Sequence, residues 1–342
     1  MKSSAHAKAA LPKKKPDKNF KISVILTLCF ILACCIVYAV KNKSYSQDVI
    51  LQRANDYYIK EQYFMAAKYY DKAVELGASG SEVFRNYGSS LLKLGNYDSA
   101  VKILQLSSEI DPFNAETYYS IGNAYYQKAA GSNSSDKFFQ AVKYLEKSVD
   151  LSPDTENAYL LIGLSYRNCG MQENARAWYR MALLTGKFNQ AGFYNLIGHT
   201  FREEERYKEA ADYYKRAIDH NGSFSAAYCN LGDMYLKMNN KDAALLEYKK
   251  VMDIEPDYIV PYIKIGQLYY DGADFDNAVF WAFKALEIDP DSDKANFLLG
   301  MAYKDAGKKN EAAEHFKRAA YRGSDDAVYE LKNMGIDLTE LM

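Results

Sequence analysis

The sequence predicts an all-α fold: a solenoid of helix-turn-helix repeats, preceded by one N-terminal transmembrane helix. Two observations predict the solenoid. Small residues recur at a period near 34 in two columns, and each period reads as two short amphipathic helices joined by a polar turn. A third predicts the membrane helix: residues 22–40, Ile22 to Val40, form a run of 19 residues without a charge.

Composition sets the frame. The chain has 342 residues, of which 49% are hydrophobic and 25% charged, ordinary values for a folded protein. The net charge of −1 conceals an asymmetry. Residues 1–43 hold nine lysines against one acidic residue, Asp17, while the remainder holds 34 basic and 43 acidic residues. A basic tail on an acidic body points the tail toward a membrane and the body away from nucleic acid. The five cysteines show no CxxC or Cys/His spacing. Neither disulfides nor a metal site is expected, and Cys169 and Cys229 read as ordinary small helix residues.

Residues 1–21 are polar and Lys-rich, with Pro12 and Pro16, and read as a disordered tail. The apolar run 22–40 follows, about 28 Å long as a helix and close to the thickness of a bilayer core. Its length favours a permanent span over a cleaved signal peptide, for which Tyr38-Ala39-Val40 is a poor cleavage site. Ile31-Leu32-Ala33-Cys34 also resembles a bacterial lipobox, so a lipidated Cys34 stays open. Seven lysines precede the run, against Lys41, Lys43, Arg53 and Lys60 after it. That bias places the N-terminus in the cytoplasm and the body outside it. Residues 41–46 are a short linker.

The repeats occupy 47–326. One column holds Ala54, Gly88, Gly122, Gly163, Gly198, Gly232, Gly266 and Gly300; the other holds Ala66, Ala100, Ala141, Ala175, Ala210, Ala244, Ala278 and Ala312. The alanines are spaced 34, 41, 34, 35, 34, 34 and 34 residues apart. The unit from Ala226 to Asp257 is representative: a helix to Lys237, a turn at Asn239-Asn240, a second helix from Asp242 to Ile254, and Pro256. A mid-helix glycine costs about 1 kcal/mol relative to alanine. The expected return is close helix approach, with the glycine facing the alanine of the second helix. The 41-residue spacing places seven extra residues near Ala129 to Ser135, read as a flexible polar loop. Residues 327–342 read as a capping helix and tail.

These columns, with Tyr159, Tyr194, Tyr228 and Tyr262 at one aromatic position and Tyr166, Phe201, Tyr235 and Tyr269 at another, resemble the tetratricopeptide repeat in eight units. The resemblance implies a right-handed α-solenoid whose first helices line a groove for a protein or peptide partner. The groove positions it points to are Tyr119, Asn123 and Tyr126 in unit three and Leu160, Leu161 and Leu164 in unit four. Next come Asn195, His199 and Arg202 in unit five and Asn230 and Asp233 in unit six. Lys264 and Gln267 follow in unit seven, then Phe297, Leu298 and Met301 in unit eight. Asn230 followed by Lys264 matches only a fragment of the clamp with which some relatives hold acidic peptides.

No HExxH, GxSxG, GxxxxGK or GxGxxG motif occurs, and His6, His199, His220 and His315 are scattered. No catalytic residue, cofactor, metal, nucleic acid or small-molecule substrate is expected. The expectation is a membrane-anchored scaffold or adaptor for a protein or peptide partner, outside the cytoplasm in a bacterial envelope complex. A cytosol-facing receptor on an organelle outer membrane and a lipoprotein-type assembly factor are the alternatives.

Overall fold

The helix pattern of the sequence is followed closely in a computed structural model, which describes residues 46–336 and six scattered positions between 29 and 37. The first helix, α1, spans 46–59. Next come α2 (Tyr63–Glu75), α3 (Ser81–Lys93), α4 (Tyr97–Ile110), α5 (Ala115–Ala130) and α6 (Ser135–Leu151). Then follow α7 (Glu156–Asn168), α8 (Gln172–Leu184), α9 (Gln190–Glu203), α10 (Tyr207–His220), α11 (Ser225–Lys237) and α12 (Lys241–Ile254). The last are α13 (Val260–Asp271), α14 (Phe275–Ile288), α15 (Asp293–Asp305), α16 (Lys309–Tyr321) and the short α17 (Asp325–Asn333). Among the described residues there is no strand.

The chain divides into two compact units, one up to Ala124 and the other from Tyr125 onward. In the first, α2, α3 and α4 pack in sequence. In the second, each helix from α6 to α17 packs on its chain neighbours, and α13 also meets α15. Such nearest-neighbour packing is how stacked helix pairs build a solenoid.

Seven of the within-pair turns are the same device. Glu61, Gly95, Gly170, Glu205, Asn239, Ala273 and Gly307 all sit seven residues after the small column, and all have positive φ. In each, the chain closes with a Schellman pair: Asn239 N–H donates to Leu236 O at 2.9 Å and Asn240 N–H to Tyr235 O at 2.8 Å. Asn240 and Asp274 then cap the second helix by accepting from the backbone N–H three residues on, and Ser292 does the same for α15 at a turn between units.

All eight alanines of the second column have no exposed surface. Gly88 and Gly266 come close to the alanine backbone, at Ala100 O and Ala278 O, but in most units the glycine's nearest neighbour is a large side chain instead. A Cβ on Gly198 would stand 2.6 Å from the Tyr214 ring, one on Gly232 2.6 Å from the Tyr248 ring, and one on Gly300 2.5 Å from the Phe316 ring. Gly163 meets Tyr179 in the same way. The large residue is four positions after the alanine, because helical side chains lean toward the N-terminus and so cover the preceding turn. Unit seven proves the rule: Ala282 replaces the large residue, and Leu298 of α15 closes on Gly266 instead, at 2.8 Å.

Two expectations are corrected. The seven extra residues of unit three are mainly helical: α5 and α6 are 16 and 17 residues long against 13 and 14 for α3 and α4, and only four residues separate them. Seven residues are nearly two helical turns, so both helices lengthen without turning their buried face outward. The second correction concerns location. Among the described residues no helix is long and apolar enough to cross a membrane. The longest, α6, carries charges along its length, including Asp136, Lys143 and Glu146. The single-pass placement, with a cytoplasmic N-terminus and extracytoplasmic repeats, is therefore not supported. The tail 1–21, most of the run 22–40, residues 41–45 and the tail from 337 lie outside the described residues.

Candidate functional site

The odd-numbered helices of the second unit present one side chain each at the position after the small column: Leu164 on α7, His199 on α9, Asp233 on α11 and Gln267 on α13. On α8, α10, α12 and α16 a large residue, Tyr179, Tyr214, Tyr248 or Phe316, is buried against the column glycine. At three of the tyrosines the hydroxyl bonds to the column residue. Tyr248 donates to Asp233 Oδ1 at 2.6 Å, and Tyr214 meets His199 Nδ1 at 3.4 Å. In the first unit, Tyr70 donates to Asn55 Oδ1 at 2.6 Å. The Tyr179 hydroxyl, in the unit whose groove position holds Leu164, is buried without a partner.

Successive helices then link up. Asn230 Nδ2 donates to Asn195 Oδ1 at 2.9 Å, and Asn195 Nδ2 donates to His199 Nε2 at 3.2 Å. With Nε2 accepting, the neutral ring carries its proton on Nδ1, facing Tyr214. Burial, and then the charges of Arg202 and Arg167, push the His199 pKa down to about 4. Asp233 Oδ2 accepts from Lys264 Nζ at 3.0 Å. Burial, and then the Asp233 carboxylate, push the Tyr248 phenol pKa well above its ordinary value. Cys229, on the same helix, has its thiol pushed up to about 12 mainly by burial, which leaves it protonated and inert.

A pocket opens beside this line. Arg202, Glu203, Tyr207, Asp233, Met234 and Lys264 are among its walls. The structure thus joins Asn195, His199 and Asn230 in one hydrogen-bonded row, and gathers Arg202, Asp233 and Lys264 around one pocket. Gln267 stands apart: it is exposed and donates to Asp271 Oδ1 on its own helix at 2.8 Å. Tyr119 and Asn123 lie half-buried on α5 in the first unit. Burial raises the Tyr119 phenol pKa. Tyr126, in the second unit, packs edge-on against Phe138 with ring centroids 5.7 Å apart. Among the unit-eight positions, Leu298 is buried and closes on Gly266.

The hydroxyls of Tyr70, Tyr214 and Tyr248 are not among the positions the sequence points to. A signal was present: Tyr70, Tyr214 and Tyr248 each follow a polar groove residue by 15 positions. Nor does the sequence point to Arg176, which is 2% exposed. Its guanidinium reaches Glu173 at 2.6 Å and Glu204 at 2.9 Å and lies over the Phe201 ring at 4.4 Å. That cluster ties α8 to α9, holding one unit against the next.

Comparisons with known proteins agree on the repeat. A family model described as "TPR repeat" matches residues 88–128, and one described as "Tetratricopeptide repeat" matches 156–184, 191–221, 225–258, 261–292 and 293–322. The mouse protein O-mannosyl-transferase TMTC3 is 25% identical over 158 residues, covering 42% of this chain and 16% of that protein. The small glutamine-rich tetratricopeptide repeat-containing protein 2 of Mycosarcoma maydis is 29% identical over 96 residues, covering 28% of this chain and 25% of that one. This chain therefore spans only a sixth to a quarter of those two relatives. A crystal structure of the C-terminal part of a repeat protein from Cytophaga hutchinsonii superposes with a TM-score of 0.58 at 15% identity, covering 73% of this chain and 99% of that one. That likeness concerns the fold.

Proposed function

We propose that this chain, which belongs to the tetratricopeptide repeat family, is a non-catalytic scaffold or adaptor that holds an extended segment of a protein partner. We read the array as eight units, with the segment lying along α7, α9, α11 and α13. The observation that carries this reading is the row Asn230–Asn195–His199, which crosses two adjacent units beside a pocket walled by Arg202, Asp233 and Lys264. Side-chain amides lined up across helices suit a peptide backbone, which offers a donor and an acceptor at every residue. Half-buried Leu160, Leu161 and Leu164 on α7 give the same face an apolar end.

The test is the double variant Asn195→Ala with Asn230→Ala. Crosslinked partner capture should fall while the helical circular dichroism stays unchanged. Undiminished capture places the partner elsewhere on the molecule.

A further inference from the structure

We infer that Arg202 anchors a carboxylate of the groove's occupant, so that the bound segment carries an acidic side chain at the pocket between α9 and α11. This rests on the groove reading above and names the chemistry it selects.

The argument starts from charge accounting around the pocket. Glu203 is paired with Arg167 at 3.5 Å, and Asp233 is bound by Lys264 and Tyr248. Arg202 is half-buried, yet its guanidinium makes no ion pair or hydrogen bond with the described residues. A guanidinium has five N–H donors in a planar fork, and leaving them partly desolvated and unmatched is costly. The fork fits the two oxygens of a carboxylate.

The surroundings strengthen such a pair. Met234, which is 1% exposed, and Leu236 wall the pocket and lower its effective dielectric. Lys237 also lines it and is exposed and unpaired among the described residues. Glu203, Glu205 and Asp233 on the rim disfavour a dianionic phosphate more than a single carboxylate.

An independent reporter lies one turn away. Arg202 on its own helix and Arg167 on α7 act on the His199 ring, which meets Tyr214 of α10; Asp233 of α11 and Glu203 of α9 act in turn on that tyrosine. Arg202 is one of the charges that keep the ring neutral. A carboxylate bound at Arg202 cancels part of that field, so the ring protonates at a higher pH when the pocket is filled.

The experiment uses the full chain and two probes of equal size, N-acetyl-glutamate amide and N-acetyl-glutamine amide, with inorganic phosphate as a third. Nuclear magnetic resonance follows the Arg202 Nε–H signal and the His199 ring titration. The glutamate probe should shift the Arg202 signal saturably and move the His199 midpoint upward. The glutamine probe should do neither, and Arg202→Gln should abolish both responses. An unmoved Arg202 signal, an equal response to the glutamine probe, or a stronger response to phosphate overturns the assignment. Partner capture separates this inference from the broader one. Arg202→Gln should lower capture about tenfold or more, the scale of a charge-assisted pair. Capture that falls with Asn195→Ala and Asn230→Ala but not with Arg202→Gln overturns the carboxylate anchor alone. Capture indifferent to all three substitutions overturns the groove as well.

Discussion

The α7–α8 and α11–α12 hairpins are built alike. Each has a glycine pressed against a fully buried tyrosine, Gly163 on Tyr179 and Gly232 on Tyr248. They differ in what the tyrosine meets above the packing layer. Tyr248 donates to Asp233, while the Tyr179 hydroxyl has no partner and the matching groove position holds Leu164. The α9–α10 hairpin is intermediate, with a longer contact from Tyr214 to His199. One packing position thus supports three kinds of groove residue: apolar, titratable and charged. The packing specifies the repeat, and the residue above it specifies what the repeat holds.

The largest way to break this comparison is to attack what the hairpins share. Gly232→Val would drive side-chain carbon into the Tyr248 ring, and should cost about 3 kcal/mol in denaturant unfolding. Repacking without loss would mean that the close approach is not needed.

The next test attacks what differs. Tyr248→Phe removes a bond to a charged group and should cost about 2 kcal/mol. Tyr179→Phe removes a buried hydroxyl with no partner, so it should be neutral or slightly stabilising. Equal costs for the two substitutions would contradict the contrast.

A smaller, constructive test is Leu164→Asn, which offers the Tyr179 hydroxyl the partner that Asn55 gives Tyr70. It should stabilise the chain by about 1 kcal/mol, and should do so only while Tyr179 is present. A gain that persists with Tyr179→Phe would have another cause.

The smallest effect at neutral pH belongs to His199. Its folded pKa lies below the ordinary 6.5, near 4, so the unfolded chain takes up the proton first. The histidine therefore costs nothing above about 6.5, and stability is lost as pH falls from there toward 4. Burial lowers the His315 pKa too, so the wild-type slope holds both contributions. His199→Gln should flatten the acid limb without changing stability at neutral pH. An unchanged limb would show that the ring is not held neutral.

The columns were legible in the sequence because packing is periodic. A mid-helix glycine and a buried alanine have few explanations, and their recurrence near 34 residues leaves one architecture. The helices Ser225–Lys237 and Lys241–Ile254 end within a residue of where the pattern places them. The ring that presses on Gly163, Gly198, Gly232 and Gly300 is not legible in the register, because side-chain lean does not appear there. The extra residues of unit three read as a loop because Gly131, Ser132, Asn133 and Ser134 dominate the local composition, whereas the added length lies in the flanking helices. The groove was legible as a set of positions and not as a network. The pairs Asn195–Asn230 and Asp233–Lys264 join residues 35 and 31 apart, and which amide meets which depends on side-chain geometry that no spacing encodes.

The most direct test of the central claim is site-specific photo-crosslinking in the cells of origin. A photoreactive side chain replaces Gln267, exposed on α13 in line with the groove, or Leu184, 86% exposed on α8. The account predicts a discrete partner adduct from position 267 and none from position 184. An adduct from 184 with nothing from 267 would contradict it.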